Sequence, residues 1–190
     1  MGVIERAAEL LREGKVVGIP TDTVYGLAAD PFQPEAVNSL FDLKGRELMK
    51  PIGILVADVD EARSLVQLPL YALEWSERYW PGPLTLVAHP VSPLPAGVGD
   101  MEHNTVGVRV PNHPVTLAVL EAFGPLAVTS ANPAGGTETL DEVAAAASLG
   151  ALVPFYLPGH CPGTVASTVV DVTGGTARIL RAGPLELGVS

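Results

Sequence analysis

The chain has 190 residues, 47% of them hydrophobic, and carries twenty-one Asp and Glu against eleven Lys and Arg, for a formal charge of −10. That hydrophobic content argues against disorder and fits one large domain over residues 1–190. The acidic balance argues against nucleic-acid binding through the bulk surface, because phosphate contacts need cationic patches. One cysteine, Cys161, excludes an intramolecular disulfide framework and a cysteine-based zinc site. It agrees with a reducing compartment. The N-terminal MGVIERAAELLREGK is charged and amphipathic, unlike a signal peptide, and runs such as IGILVA are far too short to span a bilayer. A soluble, cytoplasmic protein with no membrane segment is expected.

Helical spacing of Ile4, Ala7, Ala8 and Leu11 predicts a first helix ending at Glu13, with Gly14 as its C-terminal cap. KVVGIPT reads as a strand ending at Pro20 and leading into TDTVYGLAADP. PEAVNSLFDLK (34–44) predicts a helix with Pro34 in its first turn. After a loop comes a buried strand, Ile52–Ala57, then a helix capped by Asp58 or Asp60, and a further helix stopped by Pro81. PLTLVAHP and NTVGVRVP read as strands separated by a turn-rich loop. HPVTLAVLEAFG reads as a helix, PLAVTSANPAGG as a strand running into a loop, and LDEVAAAAS as a helix. Strands follow near 151–157, 166–172 and 177–181. Alternation of strand and helix predicts an α/β sheet in one compact domain.

The chain has no GxxxxGK[ST] loop, GxGxxG fingerprint, HExxH or GxSxG elbow. Its four histidines show no metal-ligand spacing, and Cys161 beside His160 lies in a proline-rich turn. What remains are polar residues set into apolar strands. In NTVGVRVP a two-residue period turns Val106, Val108 and Val110 to one face, and Thr105, Gly107 and Arg109 to the other. That second face suits a small anionic ligand, or else a surface strand with an arginine salt bridge. Ser130 and Asn132 stand just beyond an apolar strand, where ligands gather in open α/β sheets, or where an ordinary turn places such residues. Ser167 and Arg181 likewise interrupt apolar runs. Lys44, Arg46 and Lys50 crowd three of the scarce cations into seven residues. They form either a phosphate-holding rim or a solvated face partly neutralised by Asp42 and Glu47.

Together, PTDTVYGL (20–27), K-x-R-x-x-x-KP (44–51), VGVRVP (106–111), TSAN (129–132), STVVD (167–171) and ILRAG (179–183) resemble the YrdC family. The six motifs stand in the order that family uses and cover nearly the whole chain. Among its members, the chain is most similar to the short, single-domain synthases of threonylcarbamoyl-AMP. The resemblance implies a twisted, mixed β-sheet flanked by helices with a large concave cleft (a YrdC/RibB-like fold). It implies an enzyme that makes threonylcarbamoyl-AMP and pyrophosphate from L-threonine, bicarbonate and ATP, with Mg²⁺ bound through the ATP phosphates and no dedicated metal site. The product passes to a separate transferase complex that modifies the tRNA adenosine next to the anticodon; weak association with tRNA or double-stranded RNA is a further implication.

Carried over residue by residue, Lys44, Arg46, Lys50, Ser130 and Asn132 match the family's catalytic cluster. Arg46, Lys50, Thr105, Asn132 and Arg181 match ATP-binding positions. Thr23, Arg109, Ser130 and Ser167 match threonine-binding positions, with Arg109 assigned to the carboxylate. Two departures stand out: Glu47 where the family often has Pro, and Leu55 where longer relatives have His. Two rival readings share the fold: a carbamoyl-phosphate-using domain of hydrogenase maturation, where the motif tends to read SGN rather than SAN, and an RNA- or tRNA-binding protein without its own chemistry.

Overall fold

The structure, a computed structural model, describes residues 2–45 and 51–187. Among these residues, eight strands form one mixed sheet in the order β1-β2-β6-β3-β5-β4-β7-β8. These are β1 (Val17–Ile19), β2 (Gly26–Ala29), β3 (Gly53–Leu55), β4 (Leu84–Ala88), β5 (Val106–Arg109), β6 (Leu126–Ser130), β7 (Thr168–Asp171) and β8 (Arg178–Arg181). Only β3–β5 and β4–β7 pair in parallel; the other neighbours are antiparallel. The expected mixed sheet flanked by helices is what the chain forms.

Local signals set most boundaries. Helix α1 (Val3–Arg12) ends where Gly14 takes a positive φ of 73°, and Lys15 N–H closes onto the Leu10 carbonyl at 2.9 Å. Helix α2 (Pro34–Lys44) starts on Pro34 and stops at Gly45, which adopts the left-handed conformation. In α3 (Val59–Leu65) the choice between two aspartates falls on Asp58, whose carboxylate accepts the Glu61 N–H at 2.8 Å. Glu61 reaches back to accept the Ala57 N–H at 2.7 Å, so two end donors are satisfied reciprocally. Helices α4 (Leu70–Tyr79), α5 (Pro114–Phe123) and α6 (Glu142–Leu149) fall where expected.

Two segments differ from the sequence expectation. β2 lies inside TDTVYGLAADP, where no strand was expected, because Gly26, Ala28 and Ala29 have low strand propensity and only pairing between β1 and β6 makes the segment extended. Conversely, 151–157 is not a ladder strand. It opens with a 3-10 turn, Gly150–Leu152, and touches β1 through the single pair Gly18 and Tyr156. Pro154 and Pro158 lack the N–H groups that a continuous ladder would need.

One face of the sheet carries the main core. Leu84, Leu86, Val106, Val108 and Val170 are buried there with Val37, Leu40 and Phe41 of α2. A second cluster joins Leu10 and Leu11 of α1, Val119 and Leu120 of α5, and Val17, Ile19 and Leu126 of β1 and β6. The residues that alternate with the core set on β4 and β5, namely Thr85, Val87, Gly107 and Arg109, face a cavity instead. Period-two alternation along neighbouring strands therefore builds both the core and the cleft.

Candidate active site

The cavity measures about 570 Å³, within the range of small-molecule sites. Glycine makes its concavity. Gly26, Gly53 and Gly107 lie on three different strands and all line it. A Cβ on Gly107 would stand 2.9 Å from Thr85 Cγ2, and one on Gly53 would stand 3.0 Å from the Gly107 carbonyl oxygen. Gly107→Ala is therefore expected to push Thr85 into the cavity, at a cost of roughly 1–3 kcal/mol in stability. Substrate KM should rise about tenfold, equivalent to ~1.4 kcal/mol of binding. Steady-state kinetics and a melting curve check this; unchanged KM values would show that the floor has slack.

Eight of the ten sequence-predicted site residues line this one cavity: Thr23, Lys44, Thr105, Arg109, Ser130, Asn132, Ser167 and Arg181. Arg46 and Lys50 lie outside the described residues. Chain distance is closed by the sheet order: Thr23 precedes β2, Lys44 ends α2, Thr105 and Arg109 bracket β5, and Ser130 ends β6.

Three polar corners can be distinguished. At the first, buried Lys44 spreads its ammonium over the end of β6. Nζ donates to the Ser130 carbonyl at 2.7 Å and the Asn132 carbonyl at 2.8 Å, with Ser130 Oγ at 3.1 Å and Asn132 Oδ1 at 3.4 Å. Asn132 Nδ2 in turn donates to the carbonyls of Pro133 and Gly136 at 3.0 and 2.7 Å. Lys44 thus holds the TSAN turn as well as bringing positive charge to it. Ser130 and Asn132 stand at a turn, as one reading expected, and that turn lines the cavity.

The second corner is Arg109, buried rather than on a surface strand. Its Nε donates to the Gly82 carbonyl at 3.0 Å, Nη1 donates to Thr23 Oγ1 at 3.0 Å, and Nη2 pairs with Asp22 Oδ1. Burial draws the guanidinium pKa down, and the Asp22 carboxylate opposes that shift. Asp22 also accepts the Asn112 N–H at 3.0 Å, while its Oδ2 is buried with no partner among the described residues. The third corner is Arg181, which donates through Nε to the Ser167 carbonyl at 3.0 Å and through Nη2 to Ser167 Oγ at 3.1 Å. Thr85 Oγ1 lies 2.7 Å from Ser167 Oγ and fixes that hydroxyl from the other side.

Sequence reasoning missed Thr21, Asp22, Thr85 and Glu138. Thr85 is at an alternating position of PLTLVAHP, where the strand period held the signal, whereas Asp22 stands in the bend before β2 and only its place inside PTDTVYGL marked it. Asp100 and Glu138 are the carboxylates in the cavity lining, against Lys44, Arg109 and Arg181. With Asp22 paired to Arg109, three cations meet three carboxylates at the cleft among the described residues, although the chain is acidic overall. No group of three His, Cys, Asp or Glu able to hold a metal occurs among the described residues. Cys161 is buried, its Sγ accepts the Thr21 N–H at 3.3 Å, and burial pushes its thiol up to about 11, which is a support role rather than that of a nucleophile. No helix among the described residues is long and apolar enough to cross a membrane.

Comparison with known proteins gives the same picture. The Sua5/YciO/YrdC family model, described as "Telomere recombination", matches residues 9–183. A Mycobacterium tuberculosis protein provisionally named a threonylcarbamoyl-AMP synthase is 41% identical over 185 residues, covering 96% of this chain and 85% of that protein. The crystal structure of P. abyssi Sua5 complexed with L-threonine superposes with a TM-score of 0.88 at 35% identity, over 94% of this chain and 53% of that one. This chain therefore spans about half the length of that protein. E. coli YciO superposes with a TM-score of 0.88 at 25% identity, over 97% and 91% of the two chains.

Proposed function

This chain belongs to the Sua5/YciO/YrdC family, and from that premise we propose that it is a threonylcarbamoyl-AMP synthase. The observation that carries the reading is a single cavity with a buried, forked guanidinium at one corner and an ammonium-held turn and a second guanidinium at the others. Such a site fits a small carboxylate beside a nucleotide. A cavity of about 570 Å³ favours small ligands over an RNA duplex.

L-Threonine and bicarbonate condense to a carbamate with loss of water. A carbamate oxygen then attacks the α-phosphorus of ATP, forming a P–O bond as the α–β bridging P–O bond breaks and pyrophosphate leaves with that electron pair. No enzyme nucleophile is required, so the task is positioning and charge neutralisation. Arg109 holds the threonine carboxylate, with Thr23 and Ser167 placing the rest of that substrate. Ser130, presented by Lys44, lies between the two substrates. Thr105, Asn132 and Arg181 serve the nucleotide side, and Arg46 and Lys50 neutralise the phosphates.

Mg²⁺ carried on the triphosphate supplies further neutralisation of phosphate charge. Such an ion would arrive with the nucleotide, bound through its phosphates, and Asp100 and Glu138 are the described carboxylates lining the cavity. The product serves a separate transferase acting on tRNA in the cytoplasm, with any tRNA contact by this chain weak and salt-sensitive.

Mass spectrometry of a short incubation with ATP, Mg²⁺, bicarbonate and L-threonine tests this. Threonine-dependent threonylcarbamoyl-AMP is expected, together with its loss in Arg46→Ala. Absence of binding to both ATP and L-threonine overturns the reading and brings carbamoyl phosphate or tRNA forward as the ligand.

A further inference from the structure

We propose that Thr21 is a positioning residue that fixes the hydrogen-bond direction of Thr23, so that this corner offers the ligand one acceptor beside the donors of Arg109. The inference rests on the synthase reading and names what its threonine-binding corner selects: a carboxylate bearing an N–H donor on the adjacent carbon.

The direction follows from counting protons. A hydroxyl has one donor and two acceptor sites. Thr21 Oγ1 lies 2.7 Å from the Val24 carbonyl oxygen, which can only accept, so the Thr21 proton is spent there. Thr21 Oγ1 also accepts the Thr23 N–H at 3.1 Å. The 3.0 Å contact between the two hydroxyls must then run from Thr23 to Thr21. Thr23 Oγ1 meanwhile accepts from Arg109 Nη1 at 3.0 Å. Its proton and one lone pair are committed, and the one site left is an acceptor. Both threonines are buried and both line the cavity, so solvent does not readily scramble this order.

Arg109 completes the pattern. Three of its five N–H groups go to Gly82, Thr23 and Asp22, which leaves one on each terminal nitrogen among the described contacts. Donors beside a lone acceptor match an α-amino acid, whose carboxylate accepts while its nitrogen donates. Polar sites of this kind reject analogues that lack the matching group much more strongly than apolar pockets reject a missing methylene. The Ser167–Thr85 pair has no such constraint, because either hydroxyl there can donate.

The test compares L-threonine with (R)-3-hydroxybutanoate, the same skeleton without the amino group, by calorimetry. Wild type is expected to favour L-threonine by at least about tenfold. In Thr21→Val the Thr23 hydroxyl keeps its open acceptor site but is free to turn its proton toward the ligand, so that ratio should fall by at least about threefold, while Thr21→Ser should keep it; KM for ATP should not move in either. Thr23→Ala removes the acceptor itself and should also bring the ratio toward one, which keeps the test decisive if Thr21→Val folds poorly. A folded Thr21→Val or Thr23→Ala protein with the wild-type ratio overturns the inference and leaves the synthase standing. A wild-type protein that binds no L-threonine overturns both.

Discussion

Arg109→Ala is expected to abolish threonine-dependent product and to lower the melting temperature by roughly 10 °C. Two separate losses are involved. The first is the fork proposed for the threonine carboxylate, whose bidentate geometry a lysine does not reproduce, so Arg109→Lys should restore little activity. The second is structural. Arg109 and Asp22 form a buried pair whose side chains are 8% and 9% exposed, and Asp22 Oδ2 already has no partner among the described residues. Deleting the cation strands a buried carboxylate, which costs about 3–5 kcal/mol. For a domain of this size each kcal/mol is worth about 2–4 °C. The double variant Arg109→Ala/Asp22→Asn should recover much of the stability and none of the activity. Calorimetric melting beside the product assay separates the two losses; a stable, inactive Arg109→Ala protein would show that Asp22 finds another partner.

Lys44→Met should reduce kcat on the order of 100-fold, because the turn carrying Ser130 and Asn132 loses the group that gathers it. The methionine keeps the apolar stem but removes the 2.7 and 2.8 Å donor from the Ser130 and Asn132 carbonyls. Ser130 keeps the Asn132 N–H at 3.0 Å, whereas a buried acceptor left unmade at Asn132 costs about 1–3 kcal/mol. Hydrogen exchange should rise locally in the turn that follows Ser130, whose N–H groups bond back to Ser130, Pro133 and Lys44 carbonyls. Lys44→Arg is not a conservative rescue, since a planar fork does not fit a nest built around a compact ammonium. A Lys44→Met enzyme with wild-type kcat would limit this lysine to a structural tie.

Asp58 and Asp141 illustrate how far local chemistry reaches. Each N-caps its own helix through its carboxylate, accepting from Glu61 N–H at 2.8 Å and from Ala144 N–H at 2.7 Å. Pro34 and Gly45 bound α2 in the same local way. The alternation in NTVGVRVP by itself places Thr105, Gly107 and Arg109 opposite the buried valines, and the cavity lies on that side. These properties depend on backbone period, side-chain branching and capping, which a few consecutive residues contain in full.

What the local sequence could not hold is convergence and direction. Lys44 meets Ser130 and Asn132 across 86 and 88 positions, and Arg109 meets Thr23 and Asp22 across 86 and 87. Those distances close only because β6 runs between β2 and β3, and β3 pairs in parallel with β5. β2 itself is a strand only because both neighbours pair with it. Donor and acceptor roles are decided at the same level: Thr23 becomes an acceptor because the Val24 carbonyl and the Arg109 guanidinium meet the threonine hydroxyls from two directions. The sequence by itself determined the residue types and, along β5, the face each one occupies. The tertiary structure decided which of them meet and in which direction each hydrogen bond runs, since both depend on groups far apart along the chain.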